Sequence, residues 1–135
     1  MAIPNGAGGQ QIGAGNPAET LMGRLAAPQT ATSTATLTAA QVTGNWLVAN
    51  PSSTAATYTL PTAALIDAAV PNASVGSTFD LNVVNVGTGS GTVTLATATG
   101  LTDGGNAFVV VAITSSALFR FRKTADGAWT VYKVA

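Results

Sequence analysis

From about Thr34 to the C-terminus the chain is written in short apolar runs that alternate with polar residues and are separated by turn-forming clusters. Eight of these runs predict strands: Thr34 to Leu37, Asn45 to Ala49, Ala56 to Leu60, Thr78 to Val86, Thr92 to Ala96, Phe108 to Ile113, Ala117 to Lys123 and Trp129 to Val134. Asn50-Pro51-Ser52-Ser53, Gly87-Thr88-Gly89-Ser90-Gly91 and Asp103-Gly104-Gly105-Asn106 supply turns between them. In Phe79-Asp80-Leu81-Asn82-Val83 the odd positions are large and apolar and the even ones polar, so Phe79, Leu81 and Val83 should face a core. Ala107 to Ile113 is apolar on both faces and is expected to be a central strand covered on both sides. One short helix is expected from about Thr62 to Ala69, after Pro61 and ended by Pro71.

The last two runs allow their register to be worked out. A two-residue turn at Asp126-Gly127 sets Phe121 opposite Tyr132, which mixes apolar and polar side chains on each face. A three-residue loop with Gly127 left-handed sets Phe121 opposite Val131 and Arg120 opposite Tyr132. The second register gathers Phe119, Phe121, Trp129 and Val131 on one face, with Arg120, Arg122, Thr130 and Tyr132 on the other. Burial selects it.

Residues 1–33 read differently. Gly6-Ala7-Gly8-Gly9 and Gly13-Ala14-Gly15 lack a period of two and carry few large apolar side chains, so alone they cannot offset the entropy of ordering. Asn16, Pro17 and Glu19 have the spacing of a helix start, for a short helix over 17–25 with Leu21, Met22 and Leu25 on one face. The stretch reads either as a linker or as an extended arm that orders on a neighbouring subunit, with 34–135 as the β domain.

Composition narrows the chemistry. The chain has no His and no Cys, and charged residues are 7% against about a quarter in an ordinary domain. Proton shuttles, thiolate nucleophiles and most metal sites need residues that are absent, so the expectation is no enzyme, with no catalytic residue, metal or cofactor and no small-molecule substrate. A formal net charge of zero with no basic run argues against nucleic acid and membrane surfaces as partners. No apolar run approaches the roughly 20 residues of a membrane span, and no secretory signal is expected from Met1-Ala2-Ile3-Pro4-Asn5-Gly6. A mean hydropathy of +0.37 reads as apolar surface covered by another copy or another protein, with a well-packed monomer whose exterior is Thr, Ser, Asn and Ala as the alternative.

Few motifs remain. Gly13-Ala14-Gly15-Asn16-Pro17-Ala18 mimics a dinucleotide-binding turn but follows no strand and contains a proline. Asp103 to Asn106 reads as a tight turn, since calcium needs more carboxylates than Asp103 can gather. Arg120, Arg122, Lys123 and Lys133 hold four of the five cations, read either as a solvated face of an edge hairpin or as a partner-facing basic face with Tyr132. Trp46, Tyr58, Trp129 and Tyr132 read as core and interface aromatics, with a sugar-binding platform as the alternative.

Thr57-Tyr58-Thr59-Leu60-Pro61-Thr62, the Ala-rich helix, Val75-Gly76-Ser77-Thr78-Phe79, Val84-Asn85, Gly91 to Leu95, Phe119-Arg120-Phe121 and Trp129 to Tyr132 together resemble small virion proteins of tailed bacteriophages. The likeness is to capsid decoration (cement) proteins and head-fibre or tail-fibre β domains, over about three quarters of the chain. It implies an all-β, jelly-roll-like β-sandwich of about eight short strands and one helix behind an extended N-terminal arm. It also implies a homotrimer seated on the outer capsid surface of the virion, made in the host cytoplasm, with the major capsid protein as partner. The arm's Ile3, Ile12, Leu21, Met22 and Leu25 then become candidate capsid contacts, and Arg120, Arg122 and Tyr132 a second candidate surface. The alternative is a tail-fibre or adhesin domain that binds host glycan.

Overall fold

The computed structural model describes residues 24–135, together with the paired backbone of Ile3–Pro4 (β1) and Gln10–Gln11 (β2). Ten further strands follow: β3 (Gln29–Ala31), β4 (Ala35–Thr36), β5 (Trp46–Ala49), β6 (Ala56–Thr59), β7 (Thr78–Asn85), β8 (Val93–Ala96), β9 (Leu101–Gly105), β10 (Val110–Val111), β11 (Ser115–Ala125) and β12 (Ala128–Lys133). Two helices are present among the described residues, α1 (Ala39–Thr43) and α2 (Ala63–Ala69). The domain is all-β, in two sheets. One has the order β3-β5-β7-β11-β12-β9 and the other β10-β8-β6-β4.

From β3 to β11 each strand lies in the other sheet from the strand before it. A chain that leaves along one sheet and returns along the other lays each strand beside its predecessor in the same direction. Hence β3, β5 and β7 are parallel, as are β4, β6 and β8. The winding ends in antiparallel pairs: β7 with β11, β11 with β12, and β8 with β10. β9 then closes the far edge parallel to β12.

Side-chain alternation directs one face of each sheet into a single buried cluster. Leu47, Leu81, Val83, Phe119, Phe121, Trp129 and Val131 come from the six-stranded sheet, and Tyr58, Val93 and Leu95 from the other. Leu60, Ala63 and Ile66 close it from α2 and the segment before it. Phe79 is half-buried, with its ring stacked on Phe121 at 4.8 Å.

The hairpin register matches the expectation: Phe121 faces Val131, Arg120 faces Tyr132, and the odd residue is taken up as a bulge between Lys123 and Ala125. Gly127 has φ +69°, the left-handed conformation that a glycine adopts at least cost. α2 starts one residue later than expected, with Thr62 capping it.

Several expectations are corrected. The run Ala107 to Ile113 forms only the two-residue edge strand β10, with Val109 and Val110 exposed, and is not central. Asp103, Gly104 and Gly105 are not a turn but lie in β9, where Asp103 pairs with Val131 and Gly105 with Tyr132 of β12 across a bulge at Gly104. β3 places Gln29–Ala31, within the stretch read as arm, in the main sheet, and β1 with β2 folds part of that stretch back on itself. The possible helix over 17–25 lies outside the described residues except for Arg24 and Leu25, which are not helical. α1 was not expected. Thr38 and Gln41 form a reciprocal capping box there, each side chain accepting from the other's backbone N–H. The pairing is mixed rather than antiparallel throughout: five of the eight strand pairs in the two sheets run parallel.

Candidate functional site

The described acids meet partners within the fold. Asp67, on α2, accepts from the backbone N–H of Gly127 at 2.6 Å and from Trp129 Nε1–H at 2.8 Å. Lys123, on the core face of β11, lies with Nζ 3.1 Å from Asp67 and 3.0 Å from Asp126, and donates to the Ala73 carbonyl at 3.3 Å. Three ammonium protons therefore meet three acceptors, and the side chain is only 5% exposed. The cluster fastens α2 to the tip of the β11–β12 hairpin. The Gly127 N–H, then Trp129 and Lys123, hold the Asp67 carboxyl below the usual carboxylate range, while Asp126 and then Asp67 push the Lys123 ammonium up.

These shifts keep both groups charged, which suits a clamp and not a proton shuttle. Asp80 is likewise lowered by the guanidinium of Arg120, which grips it in two hydrogen bonds of 2.7 and 2.8 Å. Asp103 accepts from the N–H groups of Gly105 and Ala107.

A pH prediction follows from the signs. A carboxyl lowered by folding contributes stability above its unfolded value of 3.8 and loses it as pH falls through the lower folded value. A lysine raised by folding contributes fully below 10.5 and loses that contribution as pH rises through its folded value. With no His or Cys, no side chain has its ordinary value between about pH 5 and 8. The melting temperature should be flat across that window and fall in strong acid and strong base, measured by circular dichroism at constant ionic strength. A steep slope near neutrality would contradict it.

The sequence-predicted surface residues divide. Arg120, Arg122 and Tyr132 do share the outer face of the six-stranded sheet, in the middle of the sheet and not on an edge hairpin. Arg120 is spent on Asp80, and Lys123 turns to the opposite face, so the basic cluster of four is dispersed. The Tyr132 ring lies over Gly104, where a Cβ would collide with the ring and with the Thr130 methyl unless those side chains moved. Trp129 and Tyr58 are buried, which leaves Trp46 and Tyr132 on the outer face with β7 and β11 between their strands. The four aromatics form no platform. Ile3 lies in β1, Leu25 is exposed just ahead of β3, and Ile12, Leu21 and Met22 lie outside the described residues.

Sequence reasoning missed Asp67 and Asn85. Asn85 is 1% exposed and joins three segments: its Nδ2 donates to the carbonyls of Gly91, Val111 and Ala112, and its Oδ1 accepts from Gly87 N–H. The available signal was an Asn at an inward position of a strand, the one polar residue in the series Leu81, Val83, Asn85.

Among the described residues no three His, Cys, Asp or Glu side chains gather as a metal site would need. No helix there is long and apolar enough to cross a membrane. Compared with protein-family models, curated proteins and solved structures, the chain finds no match in any of the three.

Proposed function

We propose that this protein is a structural component of a tailed-bacteriophage virion: a capsid decoration (cement) protein that binds the outer surface of the assembled head, as a homotrimer, and stabilises it. One observation carries the reading. Every described acid is engaged inside the fold, while Trp46, Val86, Val109, Val110 and Val134 stand exposed. Such a surface offers adhesion and no reactive carboxylate. The resemblance in strand and turn chemistry supplies the setting, with the virion surface as location and the major capsid protein as partner. In that setting the jelly-roll-like sandwich survives only in its coarse sense of two sheets around one core, because the parallel winding of β3 to β8 departs from an antiparallel roll.

The mechanism is mass action. A protein that binds the assembled shell and not its separated parts shifts the equilibrium towards the shell, and three linked contacts raise the effective concentration at each seat. With so few charges the contact is apolar and hydrogen-bonded. Co-sedimentation with undecorated shells should therefore change little between low and physiological salt. Loss of binding over that range would contradict it. The exposed Trp46 favours the second reading, a fibre or adhesin domain, to the extent that a glycan array finds a sugar ligand whose binding Trp46→Ala abolishes.

A further inference from the structure

The two sheets differ in how their edges are finished. In the six-stranded sheet both edges are closed by side chains of the same chain. The Ala31 carbonyl turns to the β5 side and accepts from Asn50 N–H at 2.8 Å, so the neighbouring Thr30 carbonyl faces outward, where Gln41 Nε2 donates to it at 2.8 Å. At the β9 edge the Leu101 carbonyl accepts from Thr97 Oγ1 at 3.1 Å, and the Asp103 carboxylate takes the N–H groups of Gly105 and Ala107 at 2.9 and 3.0 Å. A charge on an edge also deters a second edge from pairing there.

The four-stranded sheet has no such finish. The carbonyls of Thr92 and Ala96 accept from Ala56 and Leu60 N–H on the β6 side, so Val93 turns its backbone to Val111 of β10. Val110, next to Val111, then points its N–H and carbonyl away from the sheet. At the other edge Leu37 N–H donates to the Thr59 carbonyl at 2.8 Å, which turns the backbone of Thr36 outward. Among the described residues no strand lies beyond β10 or β4, Val110 is 53% exposed and Thr36 is exposed. Charge divides the molecule in the same way. Residues 25–66, 81–102 and 104–119 hold no Asp, Glu, Lys or Arg, so β4, β6, β8 and β10 carry none, while the six-stranded sheet carries Asp80, Asp103, Arg120, Arg122, Lys123 and Lys133. Charge is depleted where proteins bury surface against each other.

We propose that copies of this chain join edge to edge through the four-stranded sheet, β10 of one against β4 of the next, in a closed ring. Pairing β10 with β10 would leave two β4 edges open, whereas a ring of unlike edges leaves none. Each open edge is only two residues long, so a single junction supplies few backbone hydrogen bonds. In a ring every copy is held at both edges, and the last junction closes within one assembly at a high effective concentration. This rests on the homotrimer of the proposed function and names the surface through which its three copies meet.

The test uses the free full-length protein. Sedimentation equilibrium gives its mass beside those of Val110→Lys and Thr36→Lys, which each put a charge on one open edge at an exposed position, with far-UV circular dichroism confirming that both variants fold. The parent should be a trimer and each lysine variant a monomer at the same concentration. Because the chain has no Cys, a short bismaleimide should link an equal mixture of Val110→Cys and Thr36→Cys chains and should not link either variant to itself. Lysine variants that remain trimers, or a parent that is monomeric at every concentration, would overturn the proposal. Linking of Val110→Cys to itself would overturn it in favour of like edges meeting. A monomeric parent that still raises the melting temperature of undecorated heads would remove this surface and leave the decoration role standing.

Discussion

Truncating Trp129 to alanine should lower folding stability by about 3–5 kcal/mol, among the largest losses for one residue in this domain. The side chain is 1% exposed, and its ring meets Phe79 edge-on at 5.4 Å, while Phe79 stacks on Phe121. Removing it opens a cavity between α2 and the hairpin and takes one donor from Asp67, whose carboxylate then relies on Gly127 and Lys123. Trp129→Phe separates the two effects. It retains most of the apolar volume and loses only the Nε1–H, so its loss should be clearly smaller. Urea unfolding of both variants reads the difference. A loss under about 1 kcal/mol for Trp129→Ala would mean that the surrounding side chains close the gap and that the cluster is loosely packed.

Asn85 carries the second large effect. Its amide holds the end of β7 to the Gly91 turn, to Val111 of β10 and to Ala112 just after it, and its carbonyl holds Gly87. Asn85→Ala leaves these buried groups without partners, at about 1–3 kcal/mol for each one that water cannot reach. Asn85→Asp has nearly the same shape and should be worse than alanine at neutral pH. It would set a carboxylate against three carbonyl oxygens that now share the two N–H groups of the amide. The order of the midpoints in urea, parent above alanine above aspartate, checks this, and an aspartate variant as stable as the parent would contradict the assignment of the amide.

What the sequence made legible was governed by local rules. The β11–β12 register could be worked out because a one-residue slip puts Phe121 and Val131 on the wrong face. The strands β5 to β8 and β12, and the helix α2, could be found because period and punctuation agreed at each. Parallel winding could not be found, since alternation along a strand says which face is buried and nothing about which strand lies beside it. The run Ala107 to Ile113 misled because an apolar residue does not record what covers it. Only Ala107 and Val111 of that run are fully buried, and Val110 is 53% exposed.

The capping box of α1 is legible as Thr38-Ala39-Ala40-Gln41, but the five-residue helix behind it has no apolar run to announce it. The clamp around Asp67 was not readable. Asp67 and Trp129 stand 62 positions apart, and no spacing rule reaches that far. Likewise, the grouping of Arg120, Arg122 and Lys123 by sequence overlooked that adjacent strand residues face opposite ways. Lys123 therefore belongs to the clamp and not to the outer face.

The claim that this domain works through its surface, by adhering to an assembled shell, meets its most direct test in calorimetry of undecorated phage heads with and without the purified protein. Binding to the assembled state alone predicts a melting temperature for the heads that climbs with added protein until the seats are filled. Heads that melt at the same temperature at every protein concentration would contradict the account.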